Sequence, residues 1–96
     1  MDQTINAIHV KDQDSCVTSV SPIAAGEAVV YHDAHGAVCS VIAAEDIPAY
    51  HKVAVRDIAE GDYVVKYGEQ IGVALCDIRV GDYVHVHNLR PLGQLH

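Results

Sequence analysis

Two histidines stand on either side of one valine in the stretch "GDYVHVHN", residues 81–88, and an asparagine follows them. If this stretch is a strand, His85 and His87 point to the same face, because side chains alternate along a strand. Neighbouring neutral imidazoles can bind a divalent metal, exchange protons or hydrogen-bond a substrate. Two ligands do not close a metal site, so Asn88, His51 or a carboxylate from a partner would have to complete it. The ordinary alternative is a polar, partly exposed strand face.

A second pair of candidates is His51 and Lys52. Adjacent residues of a strand face opposite ways, so only one of the two can point at a given site. Lys52 could neutralise a substrate carboxylate, which favours removal of a proton next to that carboxylate. His51 could be the base that removes the proton. The alternative for both residues is a surface charge beside a turn.

The third group is Lys66, Tyr67 and Gly68 in "KYG". Tyr67 could donate a hydrogen bond to a substrate, or it could cap the core with its hydroxyl at the rim. Gly68 begins the hairpin stretch "GEQIG" and is expected to serve the backbone geometry of the turn.

A short motif recurs along the chain and must position these residues. It consists of isoleucine, two residues, glycine, an acid, one residue and valine, and its isoleucines are Ile23, Ile58 and Ile78. A fourth, weaker copy starts at Ile47 and has Tyr50 in place of the glycine and His51 in place of the acid. The glycine supplies a positive φ, and an aspartate before the isoleucine can accept hydrogen bonds from turn amides. Because Tyr50 breaks the rule, its turn must have another geometry or carry strain.

Short segments rich in β-branched residues predict strands throughout the chain. The predicted strands are 7–10, 16–20, 28–33, 37–43, 51–56, 63–68, 70–76 and 83–88, with "AHG" as a hairpin turn. No segment has the period of a helix. The predicted class is all-β, a small domain of short strands with glycine-marked turns and at most short helical turns.

Composition narrows the classes of function. The 96 residues suffice for one domain, and the net charge is −7 with six Lys and Arg in total. No two of these cations are adjacent, which argues against binding to nucleic acid or to an anionic membrane. The sequence lacks a signal peptide and an apolar run of roughly 20 residues, and its three cysteines form no C-x-x-C motif, so we expect a cytoplasmic protein.

The ordered motifs in residues 45–88 resemble the N-terminal SAF-type domain of the altronate and galactarate dehydratases. They are equally similar to the family's stand-alone small subunits, which include the sulfolactate sulfo-lyase alpha subunit. The matching segments are "HKVA" at 51–54, "KYGEQIGVA" at 66–74 and "GDYVHVHN" at 81–88, and Tyr50 replaces the glycine usual before the first of them.

The resemblance implies a β-clip fold over residues 1–90, with 91–96 as a C-terminal tail. It implies a small subunit that removes water, by β-elimination, from a hydroxylated sugar acid. The alternatives are a sulfolactate sulfo-lyase small subunit and a non-catalytic sugar-acid or metal-binding or assembly module.

The resemblance also implies a separate large subunit as the partner. That subunit would carry most of the catalytic machinery and hold any divalent metal, iron or manganese. The chain is then expected to be inactive alone, and exposed strand edges make a homodimer plausible in isolation. We assign His51, His85 and His87 as catalytic candidates, with His85 and His87 also as candidate metal ligands. Lys52, Tyr67 and Asn88 are the candidate substrate ligands.

Overall fold

The computed structural model describes residues 4–92, and within them every regular element is a β-strand. The strands are β1 (Ala7–Ile8), β2 (Cys16–Ser19), β3 (Ala28–His32), β4 (Val38–Ile42), β5 (Lys52–Ala54), β6 (Tyr63–Lys66), β7 (Glu69–Ala74), β8 (Tyr83–Val84) and β9 (Leu89–Pro91). The predicted all-β class is therefore confirmed. These residues contain no helix of the length and apolarity needed to cross a membrane.

The strands form three small antiparallel sheets. A four-stranded sheet has the order β1-β2-β5-β8, β3 pairs with β4 as a hairpin, and β7 lies between β6 and β9. We call the four-stranded sheet the central sheet. It contains β5, which follows His51, and β8, which precedes His85. The position of both histidines therefore depends on it.

Two apolar clusters lie against the central sheet, one on each face. Alternation along β2 and β5 divides the side chains, since Val17 and Val53 belong to the first cluster and Cys16 and Ala54 to the second. The β3–β4 hairpin supplies the first cluster, and β6, β7 and β9 supply the second. Each buried Val or Ile contributes about 1.5–3 kcal/mol to stability by leaving water.

The four copies of the turn motif meet in two pairs. The backbone of Ile23 exchanges two hydrogen bonds with that of Ile47, at 2.9 and 2.7 Å, and Ile58 does the same with Ile78, at 2.8 and 2.8 Å. The first pair lies in one apolar cluster and the second pair in the other. The repeat thus produces two similar corners, one on each side of the central sheet.

The predicted aspartates bind turn amides, but each serves the opposite copy of the motif. Asp46 accepts from the backbone N–H of Ala25 at 2.9 Å, and Asp77 accepts from that of Glu60 at 2.9 Å. Asp57 likewise accepts from the backbone N–H of Val80, in the third copy, at 3.0 Å. These carboxylates therefore link the paired turns to each other.

The conformation of the turns follows the prediction. Gly26, Gly61 and Gly81 have φ values of 87, 87 and 94°, and Tyr50 takes the same left-handed region with φ 66°. Tyr50 thus keeps the geometry of the other three turns, and it carries the strain of a side chain in that region.

The predicted strand over residues 83–88 is confirmed at Tyr83–Val84 and is wrong for residues 85–88. Strand β8 ends at Val84, and residues 85–88 form a turn in which the N–H groups of Asn88 and Leu89 both donate to the carbonyl of His85, at 3.0 and 2.9 Å. The chain then re-enters a sheet as β9, which includes Pro91 opposite Gly72. The predicted tail therefore begins inside a strand, and its residues 93–96 lie outside the described residues.

Candidate functional site

A hydrogen-bonded pair of His51 and Tyr83 forms the centre of the site. Val53 lies opposite Tyr83 in the β5–β8 pairing, and His51 lies two residues before Val53, so all three share one face of the sheet. The hydroxyl oxygen of Tyr83 is 2.7 Å from Nδ1 of His51. This bond orients the imidazole, and it leaves Nε2 of His51 available to another group.

Two further imidazoles surround the Tyr83 ring. The His85 ring stacks on it with a centroid distance of 5.4 Å, and the His87 ring lies at 5.7 Å. The His51 and His85 rings are 5.2 Å apart, in an edge-to-face arrangement. The three histidines predicted as catalytic therefore gather around one tyrosine, although a turn, and not strand alternation, delivers His87.

The turn that carries these histidines is held by Asn88. This residue is buried, its side-chain oxygen accepts from the N–H of His85 at 3.0 Å, and its amide nitrogen donates to the carbonyl of Tyr83 at 2.9 Å. Both polar atoms of the side chain are thus engaged with the backbone. Asn88 has a structural role here in addition to the substrate contact predicted for it.

The backbone around His51 is equally constrained. Its N–H donates to the hydroxyl of Ser19 at 3.2 Å, and its carbonyl accepts from the N–H of Ser19 at 2.9 Å. The Ser19 hydroxyl itself donates to the carbonyl of Pro48 at 2.7 Å, in a fully buried position. His51 is therefore held at its backbone and at its ring before any ligand binds.

The cluster is open to a partner or a ligand. His87 is exposed, and His51, Tyr83 and His85 are half-buried. Imidazole is the side chain that gains and loses a proton most readily near neutral pH. Three imidazoles and a phenol in contact can accept, relay or donate a proton to a molecule placed on them.

Metal binding has less support from the chain's own residues. Within residues 4–92, no group of three or more His, Cys, Asp and Glu side chains is close enough to hold an ion. The imidazoles of the cluster fit a metal chemically but do not close a coordination shell. A metal at this place would need further ligands from another protein region.

The remaining predicted residues, Lys52 and Tyr67, lie on the other side of the central sheet. Lys52 follows His51, so its side chain leaves the opposite face of β5. It lines a surface groove of about 450 Å³ together with Lys66, Tyr67 and Tyr50. The six predicted residues therefore divide into a histidine cluster, a lysine groove and the structural Asn88.

Sequence reasoning gave no site role to three residues of these two regions. Tyr83 is the residue between the acid and the valine in the third copy of the motif, and its position two residues before His85 was a signal for a shared site. Lys66 lies two residues after the buried Val64, so strand alternation could have shown that it faces the core. Tyr50 was recognised only as an exception to the glycine rule.

The fold defines a class of protein. A small all-β domain of short strands, without helices in residues 4–92, is consistent with the SAF-like β-clip. The family model described as "Altronate/galactarate dehydratase SAF domain" matches residues 5–92. The chain belongs to this family, as the motifs at 51–54, 66–74 and 81–88 predicted.

Curated relatives agree with the family. The chain is 36% identical to altronate dehydratase of Bacillus subtilis over 83 residues, which cover 86% of this chain and 16% of that protein. It is 50% identical to the (2R)-sulfolactate sulfo-lyase subunit alpha of Chromohalobacter salexigens over 44 residues, which cover 46% of this chain and 47% of the relative. The corresponding subunit of Paracoccus pantotrophus is 49% identical over 45 residues, which cover 47% of this chain and 67% of the relative.

These alignments span only part of the first relatives. The chain matches a small fraction of the altronate dehydratase and about half of the C. salexigens subunit, which is a chain of similar length to this one. The relatives are lyases, and the chain is accordingly a domain of a lyase family.

Proposed function

We propose that the chain is the small subunit of a hydro-lyase of the altronate dehydratase type, acting with a separate large catalytic subunit on a hydroxylated sugar acid. The observation that carries the proposal is the contact of His51, Tyr83, His85 and His87, which presents proton-exchanging groups on an open surface. Membership of the family and the alpha-subunit names of two relatives support the division into subunits.

The chemistry would be a β-elimination of water. A base removes the proton next to the carboxylate, the hydroxyl on the neighbouring carbon accepts a proton and leaves as water, and the resulting enol rearranges to a 2-oxo acid. His51 is the best placed base or acid among the three histidines, since the Tyr83 hydroxyl fixes its ring. His85 and His87 would contact the substrate or pass protons between it and the large subunit.

A divalent metal, iron or manganese, would stabilise the negative charge that develops on the substrate carboxylate. In this proposal the large subunit holds the metal, because residues 4–92 do not supply a complete ligand set. His85 and His87 are the residues of this chain that could add ligands to it.

Reconstitution tests the proposal. The chain alone, the large subunit alone and the mixture are incubated with altronate and galactarate, and the 2-oxo acid is measured. We expect product only in the mixture, and a loss of about a hundredfold or more in kcat/KM after His85→Ala combined with His87→Ala, with assembly intact. The control is His35→Ala, because His35 is exposed and pairs with Asp12 outside the cluster. Full activity of the double variant would contradict a role for the cluster.

A second candidate is the small subunit of a sulfolactate sulfo-lyase. The two alpha-subunit relatives favour it, with identities of 50 and 49% over 44 and 45 residues. The same mixture would then release sulfite when it is incubated with sulfolactate. It would leave altronate unchanged in a parallel incubation. A binding or assembly module without a catalytic role would instead leave turnover unaffected by changes to the cluster.

A further inference from the structure

The lysine groove, formed by Tyr50, Lys52, Lys66 and Tyr67, contains a buried charge without a partner. Lys66 is 4% exposed, and its ammonium nitrogen has no hydrogen-bond partner among residues 4–92. An ammonium group has three donors, and leaving a charged donor unsatisfied in a buried place is costly. The ammonium group of Lys66 therefore needs a hydrogen-bond acceptor, and the described part of the chain does not supply one.

The tyrosine beside it compensates only in part. The Lys66 nitrogen lies 3.7 Å from the centroid of the Tyr67 ring, a cation–π contact that attracts the charge but accepts no conventional hydrogen bond. The carboxylate of Asp14 is occupied by the backbone amides of Gly68 and Lys11, at 2.8 and 3.2 Å. Asp14 attracts Lys66 electrostatically but makes no hydrogen bond to it.

A second cation lines the same groove. Lys52 is half-buried on β5, in a chain that has only six Lys and Arg residues and a net charge of −7. Both ammonium groups act on the buried thiol of Cys16, whose pKa burial raises to about 11 while the charges of Lys66 and Lys52 oppose the increase. Two of the chain's few cations thus lie around one small volume.

The groove is also where the backbone carries strain. Among residues 4–92, only Tyr50 and Tyr67 are non-glycine residues with positive φ, at 66 and 55°, and both line the groove. Their side chains are 76 and 58% exposed, so burial in the core does not explain their presence at strained positions. Strained residues that persist are concentrated at ligand sites.

We propose that the lysine groove binds the carboxylate of a small hydroxylated acid, with Lys66 and Lys52 as the cationic donors and the Tyr50 and Tyr67 rings flanking the carbon chain. The carboxylate would supply the acceptor that Lys66 lacks, in a charge-assisted hydrogen bond. The aromatic rings would pack against the C–H groups of the acid, and Tyr67 would turn aside to admit it. The groove lies across β5 from the histidine cluster, so it is a second site and not the substrate contact of that cluster.

The choice of a hydroxylated acid rests on the proposed function, whereas carboxylate binding rests on the groove alone. The test is titration of the isolated chain with D-gluconate, followed by calorimetry and by the amide signals of residues near Lys66. D-glucitol is the matched neutral probe, since it has the same carbon chain without the charge. We expect saturable binding of gluconate at one site and none of glucitol.

Matched variants locate the site. Lys66→Met should weaken gluconate binding about tenfold or more, because it removes a charge-assisted hydrogen bond. It should leave the melting temperature unchanged or raise it, since it replaces an unpaired buried charge by an apolar chain. Arg79→Met removes the same charge from an exposed position outside the groove and should change binding less than about twofold.

The outcomes are distinct. If Arg79→Met weakens gluconate binding as much as Lys66→Met does, the effect is one of general electrostatics. That result would overturn the proposal. So would gluconate that binds no better than glucitol. Because the experiment needs no turnover, it can fail while the lyase role of the histidine cluster stands, and the lyase role can fail while the groove still binds gluconate.

Discussion

Tyr50 shows how one side chain can depart from a repeated turn without changing the backbone. Its φ of 66° matches the region used by the three glycines at equivalent positions, and its N–H donates to the carbonyl of Ser19 at 2.8 Å. The left-handed conformation costs an L-residue about 1–2 kcal/mol. The tyrosine is mostly exposed, so little packing offsets this cost.

Substitutions at Tyr50 should separate the effect of backbone strain on stability from the effect of the aromatic ring on gluconate binding. Tyr50→Ala keeps the strain, whereas Tyr50→Gly relieves it at the expense of a more flexible unfolded chain. We expect the glycine variant to be more stable than the alanine variant by about 0.5–1 kcal/mol, measured by urea unfolding. An alanine variant as stable as the glycine variant would show that the turn is not strained. Both should bind gluconate more weakly than the unchanged chain.

Asp14 predicts how stability depends on pH. Burial alone would raise the pKa of this carboxyl, but hydrogen bonds from the amides of Gly68, Lys11 and Tyr67, with the charge of Lys66, lower it below its ordinary value of 3.8. A depressed pKa in the folded state stabilises the fold above the unfolded value. This contribution disappears as the pH falls through the folded pKa.

We therefore expect Asp14→Asn to lower the free energy of unfolding at neutral pH by about 1–3 kcal/mol. The difference from the unchanged chain should shrink as the pH falls below 3.8. Urea unfolding across that range measures it, with the exposed Glu60→Gln as the control that changes little. A difference that is constant with pH would mean that the charge of Asp14 does not stabilise the fold.

At the scale of elements, the repeated turn was the feature most open to prediction. The spacing of isoleucine and glycine is local, and it identified four turns and the start of the strand that follows each of them. The pairing of Ile23 with Ile47, and of Ile58 with Ile78, joins residues 20 or more positions apart, and no local pattern contains that information.

The turn at residues 85–88 was predicted as strand because alternation of His and Val is typical of strands. The Asn88 side chain decides the outcome. It accepts from the N–H of His85 and donates to the carbonyl of Tyr83, hydrogen bonds that a neighbouring strand would otherwise make. An asparagine at the end of an alternating stretch does not by itself distinguish these outcomes. The three histidines of the cluster were therefore named from the sequence, whereas Tyr83 and the geometry were not.

Two glycines at equivalent positions of the repeat should respond differently to substitution. A Cβ at Gly81 would clash with the carbonyl oxygen of Ile42, whereas a Cβ at Gly61 would meet nothing within 4 Å. Both residues have positive φ, so both alanine variants carry the backbone cost of about 1–2 kcal/mol.

Gly81→Ala should lose about 1–3 kcal/mol more than Gly61→Ala, because the backbones must also separate. Thermal unfolding of the two variants measures the difference. Equal losses would mean that the third turn does not approach the end of β4 as closely as the structure shows.

At the scale of the whole molecule, two similar corners enclose one central sheet, and each face of that sheet presents a different set of side chains. The histidine cluster lies on the face of the sheet that carries Val53. The lysine groove lies on the opposite face, which carries Lys52 and Ala54. The all-β class was predictable from the segments rich in β-branched residues, and the family was predictable from the motifs. The separation of the predicted residues into two regions was not, because it depends on where the sheets pack.

The same architecture leaves the histidine cluster accessible to a partner. The histidine cluster is open, and the cluster alone does not complete a metal site in residues 4–92. The homodimer predicted from exposed strand edges stays a prediction. A large subunit covering the cluster would exclude water and supply the groups that this chain lacks.

The most direct test of the account is the effect of one hydroxyl group on the reconstituted lyase. Tyr83→Phe removes the oxygen that lies 2.7 Å from His51 and keeps the ring on which His85 stacks. Tyr63→Phe makes the same change at the equivalent position of the second turn copy, where the side chain is exposed. We predict that kcat/KM falls about tenfold or more for Tyr83→Phe and stays within about twofold for Tyr63→Phe. Equal activities of the two variants would contradict the role of the His51–Tyr83 pair in the reaction.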